Sequence, residues 1–139
     1  PLDAPITLEW AMSLVRHFQK SPRTPLPARY LCRLLGEGER LLDAREAREG
    51  PVHAVDLRGS APQTQLIIVG DTHGQLADVL WIFYKNGVPS PRNRYLINGD
   101  ICDRGNLATE IWAVLLAFMC VWPESVMIQR GNHEDRLLN

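Results

Sequence analysis

Residues 66–74 read LIIVGDTHG, an apolar run followed directly by a glycine, a carboxylate and an imidazole. Four successive apolar residues are typical of a strand that is buried on both faces, so we expect a strand over residues 66–69. Two further apolar runs lead into glycine-containing polar motifs, in YLINGDICDRG at residues 95–105 and in SVMIQRGNHE at residues 125–134. The sequence therefore predicts three short strands, each ending in a polar motif.

The segments between these strands carry apolar side chains at helical spacing, over residues 75–85 and 107–121. A βαβαβ order predicts a parallel or mixed sheet with helices on its faces, and so an α/β fold. Ligands in such sheets bind beyond the carboxyl ends of the strands. All three motifs fall at those ends, so we expect a functional site there.

Two further helices are predicted before the first strand. Residues 6–20 show an amphipathic pattern with Thr7 as a plausible N-cap. Residues 28–49 read as a second helix, which Gly36 and Gly38 are expected to weaken and to split.

A short strand is expected over residues 51–55. We divide the chain into a helical segment, residues 1–60, that leads into a catalytic part, residues 61–139. Because the chain stops just after the third motif, that catalytic part is expected to be incomplete.

Composition narrows the class of protein. The chain has 139 residues, the size of one ordinary domain, and a formal net charge of -1, which does not favour nucleic acid as a partner. Its three cysteines form no CxxC pair, which indicates neither a disulfide framework nor a thiolate zinc site. The apolar run at residues 111–122 is too short to span a bilayer. We expect a cytoplasmic protein, with a nuclear location as an addition.

Metal chemistry is the first interpretation of the motifs. In an extended segment, side chains two residues apart point the same way, so Asp71 and His73 can bind one metal ion together. Asp100 has two carboxylate oxygens and can bridge two cations, which at ~3.5–4 Å form a clamp for phosphoryl displacement. The Asp71–His73 pair alone is more often an ordinary surface turn; the series of three motifs is what favours a dimetal site.

Two other side chains complete the predicted site. Arg104 offers a planar fork suited to phosphate oxygens, the alternative being a surface ion pair. The amide oxygen of Asn132 is a neutral ligand suited to the second metal.

Proton transfer is assigned to the third motif. His133 could protonate a departing alkoxide without binding metal, provided that a carboxylate orients its other ring nitrogen. Asp103 is the candidate for that carboxylate. Glu134 is expected to orient either nearby backbone or Arg130.

The motifs GDTHGQ, GDICDRG and GNHED together resemble those of the metal-dependent serine/threonine phosphoprotein phosphatases, the PPP family. Residues 80–90 and 131–139 look most similar to the branch with C-terminal EF-hand modules. The resemblance implies a β-sandwich flanked by helices, of which only the N-terminal βαβαβ half and the preceding helices are present. It implies the same roles for the residues already considered: metal binding by Asp71, His73, Asp100 and Asn132, proton donation by His133 with Asp103, and phosphate binding by Arg104.

For function, the resemblance implies hydrolysis of phosphoserine and phosphothreonine in proteins by metal-activated water. The cofactors would be two divalent metal ions, Mn²⁺ or of the Fe/Zn type. The partners would be a phosphoprotein substrate and a regulatory protein or domain.

The chain departs from the family pattern in two respects. Cys102 stands where the family usually has valine, either as a small buried residue or as an oxidation-sensitive thiol. The histidines and the second arginine that the family's other half supplies have no counterpart here. We therefore expect weak binding of the first metal and little turnover by this chain alone.

Two alternative functions remain open. The same motifs occur in metallophosphoesterases that act on dinucleotides or small phosphate esters. A truncated, inactive binding module is the non-enzymatic alternative.

Overall fold

The computed structural model describes residues 4–58 and 60–137, which contain four α-helices and three strands. In chain order the elements are α1 (Leu8–Lys20), α2 (Ala28–Glu49), β1 (Gln65–Val69), α3 (Leu76–Asn86), β2 (Asn93–Ile97), α4 (Ala108–Val121) and β3 (Val126–Ile128). Short 3₁₀ turns precede and follow β3, at Pro123–Ser125 and Asn132–Glu134. The predicted βαβαβ order is confirmed.

The strands form one parallel sheet in the order β1-β2-β3. Ile67 is in register with Tyr95, and Tyr95 with Val126, so the three strands run side by side over their central residues. Parallel strands end at the same edge of a sheet, and this brings the three polar motifs to one side of the molecule.

The two faces of the sheet differ. Ile67, Tyr95 and Val126 belong to a hydrophobic core shared with the helices, as expected for alternate residues on one face. Ile68 points to the other face, and 69% of it is exposed. The prediction that the first strand is buried on both faces is therefore wrong for the described residues, because no described element covers Ile68.

Helix α4 is the centre of the core. Its residues from Ile111 to Met119 are nearly all buried, and α1 packs on it through Phe18 and its neighbours. Thr7 caps α1 as predicted, because its Oγ1 accepts a hydrogen bond from the backbone N–H of Trp10 at 3.2 Å.

Helix α2 runs unbroken through Gly36 and Gly38, so the expected split is wrong. Gly38 is buried where a Cβ atom would lie 2.6 Å from Leu116 Cδ2, and this close approach to α4 explains a glycine within the helix. Buried Arg45 also ties α2 to the sheet, donating hydrogen bonds to the carbonyls of Val126 and Pro123.

The expected strand over residues 51–55 is absent; the structure has irregular backbone there. Helices α1 and α2 share one hydrophobic core with the sheet, while the division at residue 60 stays a prediction. Within the described ranges, no helix is both long and apolar enough to cross a membrane.

Candidate metal centre

The loops after β1 and β2 are joined by backbone hydrogen bonds. The N–H groups of Thr72 and His73 both donate to the carbonyl of Asp100, at 3.1 and 2.9 Å. The N–H of Gly105 donates in return to the carbonyl of His73, at 2.9 Å. A Cβ at Gly74 would lie 2.6 Å from the backbone of Gly105, so the two loops meet too closely for a side chain. The first two motifs thus form one rigid edge.

His73 is oriented by this edge. Its Nδ1 lies 2.8 Å from the carbonyl oxygen of Cys102, and because a carbonyl only accepts, Nδ1 carries the proton. That leaves the lone pair of Nε2 for a metal ion, in the arrangement usual for ligating histidines. Nε2 lies 3.8 Å from Asp71 Oδ2.

The proximity of Asp71 and His73 has a different cause from the expected one. His73 has a φ of +40°, which lies in the left-handed region, so the backbone turns there instead of staying extended. Asp100, Asp103 and Arg104 also have positive φ, of +49°, +65° and +62°. Such conformations cost about 1–3 kcal/mol each and persist only where the surroundings hold them, commonly at functional sites.

His133 contacts both neighbouring motifs. Its Nδ1 lies 2.9 Å from Asp103 Oδ2, and its backbone N–H donates to Asp100 Oδ1 at 2.9 Å. Its ring also meets the ring of His73 edge-on, with centroids 4.8 Å apart. The expected contact between His133 and Asp103 is present, and an Nδ1–H donated to Asp103 leaves Nε2 as the atom to hold a transferable proton.

Three of the predicted residues converge. One ligand atom from each of His73, Asp100 and His133 lies within 4.8 Å of the other two. The imidazole of His73 and the carboxylate of Asp100 are donors that suit Mn, Fe or Zn ions, so these two residues fit a divalent metal, and His133 lies beside them as the predicted proton donor.

The other predicted residues are more exposed. Asp71 lies at the margin of this group, with 54% of its side chain exposed. Asn132 and Arg104 are exposed on the third and second loops. The roles assigned to these side chains stay predictions.

Glu134 is the residue whose place the sequence left open. Its carboxylate accepts four backbone N–H groups, from Asp100, Ile101, Cys102 and Gly131, at 2.7–3.0 Å. Burial raises the pKa of this carboxyl, but the four N–H donors outweigh that effect and leave the pKa lowered. Arg130 pairs with Asp135 instead, at 2.9 Å. No local sequence signal distinguishes these alternatives, because the N–H donors come from two loops that meet only in the fold.

Cys102 lies within this network. Burial raises the pKa of its thiol, a hydrogen bond with Trp112 opposes the rise, and the charge of Glu134 adds to it. A raised pKa leaves less of the reactive thiolate, which favours the interpretation of Cys102 as a small packing residue.

A second group of possible metal ligands consists of Glu49, His53 and Glu124, which meet at the surface. The guanidinium of Arg48 already pairs with both carboxylates, and His53 Nε2 lies 2.8 Å from Glu49. We interpret this group as a surface ion-pair cluster.

A parallel βαβ sheet whose motifs gather histidine and carboxylate ligands at its carboxyl edge defines a metallophosphoesterase-type centre. Residues 64–139 match the model of the family described as calcineurin-like phosphoesterase, and the chain belongs to that family.

Similar proteins are named serine/threonine-protein phosphatases, which confirms the predicted resemblance. The chain is 39% identical over 138 residues to serine/threonine-protein phosphatase with EF-hands 2 of Mus musculus, covering 99% of this chain and 17% of the relative. It is 38% identical over 135 residues to serine/threonine-protein phosphatase 5 of Arabidopsis thaliana, covering 96% of this chain and 23% of the relative.

A solved structure shows the same fold. It is the protein serine/threonine phosphatase from Saccharomyces cerevisiae with similarity to human phosphatase PP5, with a TM-score of 0.80 and 27% identity. The match covers 92% of this chain and 40% of that chain. The chain thus spans about a fifth of the length of the curated relatives above, and less than half of the solved one.

Proposed function

We propose that this chain is part of a dimetal protein phosphatase that hydrolyses phosphoserine and phosphothreonine. The observation that carries the proposal is the convergence of His73, Asp100 and His133, with Asp103 on the far nitrogen of His133. An isolated metal-binding turn would need no such oriented imidazole.

The metal-binding residues would be Asp71 and His73 for one ion, Asp100 for both, and Asn132 for the other. When bound, the two ions would supply an activated water at neutral pH and balance the charge of the phosphoryl group. The hydrogen bond from the His133 N–H to Asp100 Oδ1 helps to orient the Asp100 carboxylate, which would hold the metals.

The remaining residues would act on the phosphate ester. Arg104 would bind its oxygens through the guanidinium fork. His133 would donate the Nε2 proton to the departing serine or threonine oxygen, while Asp103 stabilises the imidazolium and holds the ring.

Cofactor, partners and location follow as parts of the same proposal. The metals would be Mn²⁺ or of the Fe/Zn type, since the donors are nitrogen and oxygen. A phosphoprotein substrate accords with the names of the relatives. A regulatory protein or domain and a cytoplasmic or nuclear location belong to the proposal as well.

The experiment compares His133→Ala with wild type in Mn²⁺, in a longer chain that also carries the second half of the family's catalytic domain, using a phosphoserine peptide, p-nitrophenyl phosphate and a dinucleotide. Loss of a general acid should lower kcat for the peptide about 10²–10⁴-fold. The loss should be much smaller for p-nitrophenyl phosphate, whose leaving group needs little protonation. Equal losses on both substrates would contradict proton donation, and hydrolysis of a dinucleotide in preference to the peptide would contradict the substrate class.

Mn²⁺ binding separates the two possible roles of His133. His73→Ala should abolish binding of one ion, whereas His133→Ala should leave the stoichiometry unchanged. A lost ion in His133→Ala would make His133 a ligand. His17→Ala is the matched control, because His17 contacts the carbonyl of Thr24 away from the site.

A further inference from the structure

Glu134 is a carboxylate at the metal centre whose oxygens are both occupied by backbone. Oε1 accepts from Ile101 and Cys102 at 2.7 and 3.0 Å, and Oε2 accepts from Asp100 and Gly131 at 2.8 and 2.9 Å. Two N–H groups on each oxygen leave Glu134 poorly placed to bind metal. Its negative charge is balanced by amide dipoles instead.

These contacts connect two motifs that are far apart in sequence. Three of the N–H groups belong to the loop after β2, at residues 100–102, and one to the residue that opens the turn after β3. Asp100 has a φ of +49°, which directs its N–H away from the ordinary strand ladder and toward Glu134. The Glu134 carboxylate gives these N–H groups the hydrogen-bond acceptor that a strand or helix would otherwise supply, and so it stabilises the strained backbone.

The same network reaches the predicted metal ligand. Glu134 Oε2 holds the Asp100 N–H, and Asp100 Oδ1 in turn accepts the His133 N–H at 2.9 Å. A Cβ at Gly131 would lie 2.1 Å from Asp100 Oδ1 and 2.7 Å from Glu134 Oε2, so the two carboxylates approach each other across a position that only glycine fits. Movement of Glu134 would therefore move both Asp100 and His133.

We propose that Glu134 is a positioning residue, which locks the backbone of the second and third motifs so that Asp100 and His133 keep their geometry for the metals and the proton. Its meaning for hydrolysis rests on the proposed function. The lock itself is a property of the metal-free chain.

The test is Glu134→Gln, which keeps the shape but replaces one acceptor oxygen by an NH₂ group that cannot accept. Amide hydrogen exchange, read by NMR without metal, should accelerate at least about tenfold at the two amides that face the new NH₂ group, which are Ile101 and Cys102 or Asp100 and Gly131. Amides within β1 and β2 should keep their protection. The Kd for Mn²⁺ should rise about 10–100-fold, as for other residues that orient metal ligands.

Asp135→Asn is the matched control, because it removes the same charge one residue away, from a side chain paired with Arg130. It should leave exchange at the four amides bonded to Glu134 unchanged and alter the Mn²⁺ Kd less than threefold. A turnover assay then separates an effect on metal affinity from an effect on the chemical step. The kcat of Glu134→Gln should recover at high Mn²⁺ if Glu134 acts through metal binding.

Three results would overturn the proposal. They are unchanged exchange in Glu134→Gln, equal loss of protection across the whole sheet, and an equal rise in Kd for Asp135→Asn. The second would mean that Glu134 holds the fold and not the ligands. Because exchange and Mn²⁺ binding need no turnover, a protein that locks its loops but hydrolyses no phosphopeptide would refute the proposed function alone.

Discussion

The helical layer, formed by α1, α2 and α4, and the motif edge, formed by residues 70–74, 99–105 and 131–134, are held together in opposite ways. The helical layer relies on apolar contacts, with most of α4 inaccessible to water. The motif edge relies on hydrogen bonds between loops, and its non-glycine residues include four with positive φ.

The difference indicates where stability and function reside. Apolar burial is non-directional and tolerates small shifts, whereas a metal centre requires fixed atoms. The strain at the motif edge must then be offset by stability from the helical layer. Variants in the two regions should separate stability from metal binding.

The largest expected effect is on stability, from Phe118→Ala in the helical layer. Phe118 is fully buried and meets Phe83 edge-on, with ring centroids 5.8 Å apart. Its truncation should lower the free energy of unfolding by about 3–5 kcal/mol, measured by urea titration. The Mn²⁺ Kd of the folded fraction should stay within twofold of wild type.

If Phe118→Ala fails to fold, Phe118→Leu provides the same test, because leucine leaves a smaller cavity than alanine. A weaker Mn²⁺ Kd that tracks the lost stability across both variants would erase the distinction between the two regions.

The next effect is on metal binding, from Gly99→Ala at the motif edge. Gly99 has a φ of +87°, and a Cβ there would lie 2.3 Å from the backbone nitrogen of Gly131. The strained φ alone should cost about 1–3 kcal/mol, and relief of the clash should push the second and third motifs apart. Isothermal titration should show Mn²⁺ binding weakened at least about tenfold.

Gly70→Ala is the control for Gly99→Ala, since nothing lies within 4 Å of a Cβ at Gly70 and its φ is not positive. Similar Mn²⁺ affinities in both alanine variants would show that the close approach of the Gly99 and Gly131 backbones does not determine metal affinity.

The regular elements were predictable from sequence because their signals are local. Apolar runs gave the three strands, helical spacing gave the helices, and the oxygen of Thr7 caps α1 as expected. The predicted site residues His73, Asp100 and His133 meet because strand order alone brings the carboxyl ends of parallel strands to one edge.

The sequence-based predictions fail or stay open where burial and hydrogen-bond partners are determined by tertiary contacts. An apolar run does not reveal that Ile68 lacks a covering element. The two glycines predicted to split α2 do not do so, and the close packing of Gly38 against Leu116 of α4 could not be read from the sequence. Glu134 could not be assigned from its neighbours in sequence, since three of its four N–H donors lie more than thirty residues away.

A smaller effect concerns pH and the thiol of Cys120 in the helical layer. Burial raises the pKa of this thiol from 9.0 to about 11. Because the folded pKa is raised, the stability contributed by the neutral thiol is present below pH 9 and is lost as the pH rises toward 11. Between pH 8.5 and 10.5, the free energy of unfolding measured by urea titration should fall by about 1 kcal/mol less in Cys120→Ala than in wild type. The expected difference is modest because the thiol is partly exposed.

Cys32→Ala is the control, since Cys32 is exposed on α2 and should leave the pH slope unchanged. An identical slope for Cys120→Ala and wild type would show that the thiol is solvated in the folded chain.

The smallest expected effect is a gain in stability at an exposed position of the helical layer. Gly36 lies within α2, and a Cβ there would meet no atom within 4 Å. Gly36→Ala should therefore raise the free energy of unfolding by about 0.5–1 kcal/mol, because alanine restricts the unfolded chain and favours the helix. Gly38→Ala should gain less, since its Cβ would press on Leu116. The Mn²⁺ Kd should not change in Gly36→Ala; a shift beyond twofold would mean that the helical layer and the motif edge are coupled, and would end the separation argued above.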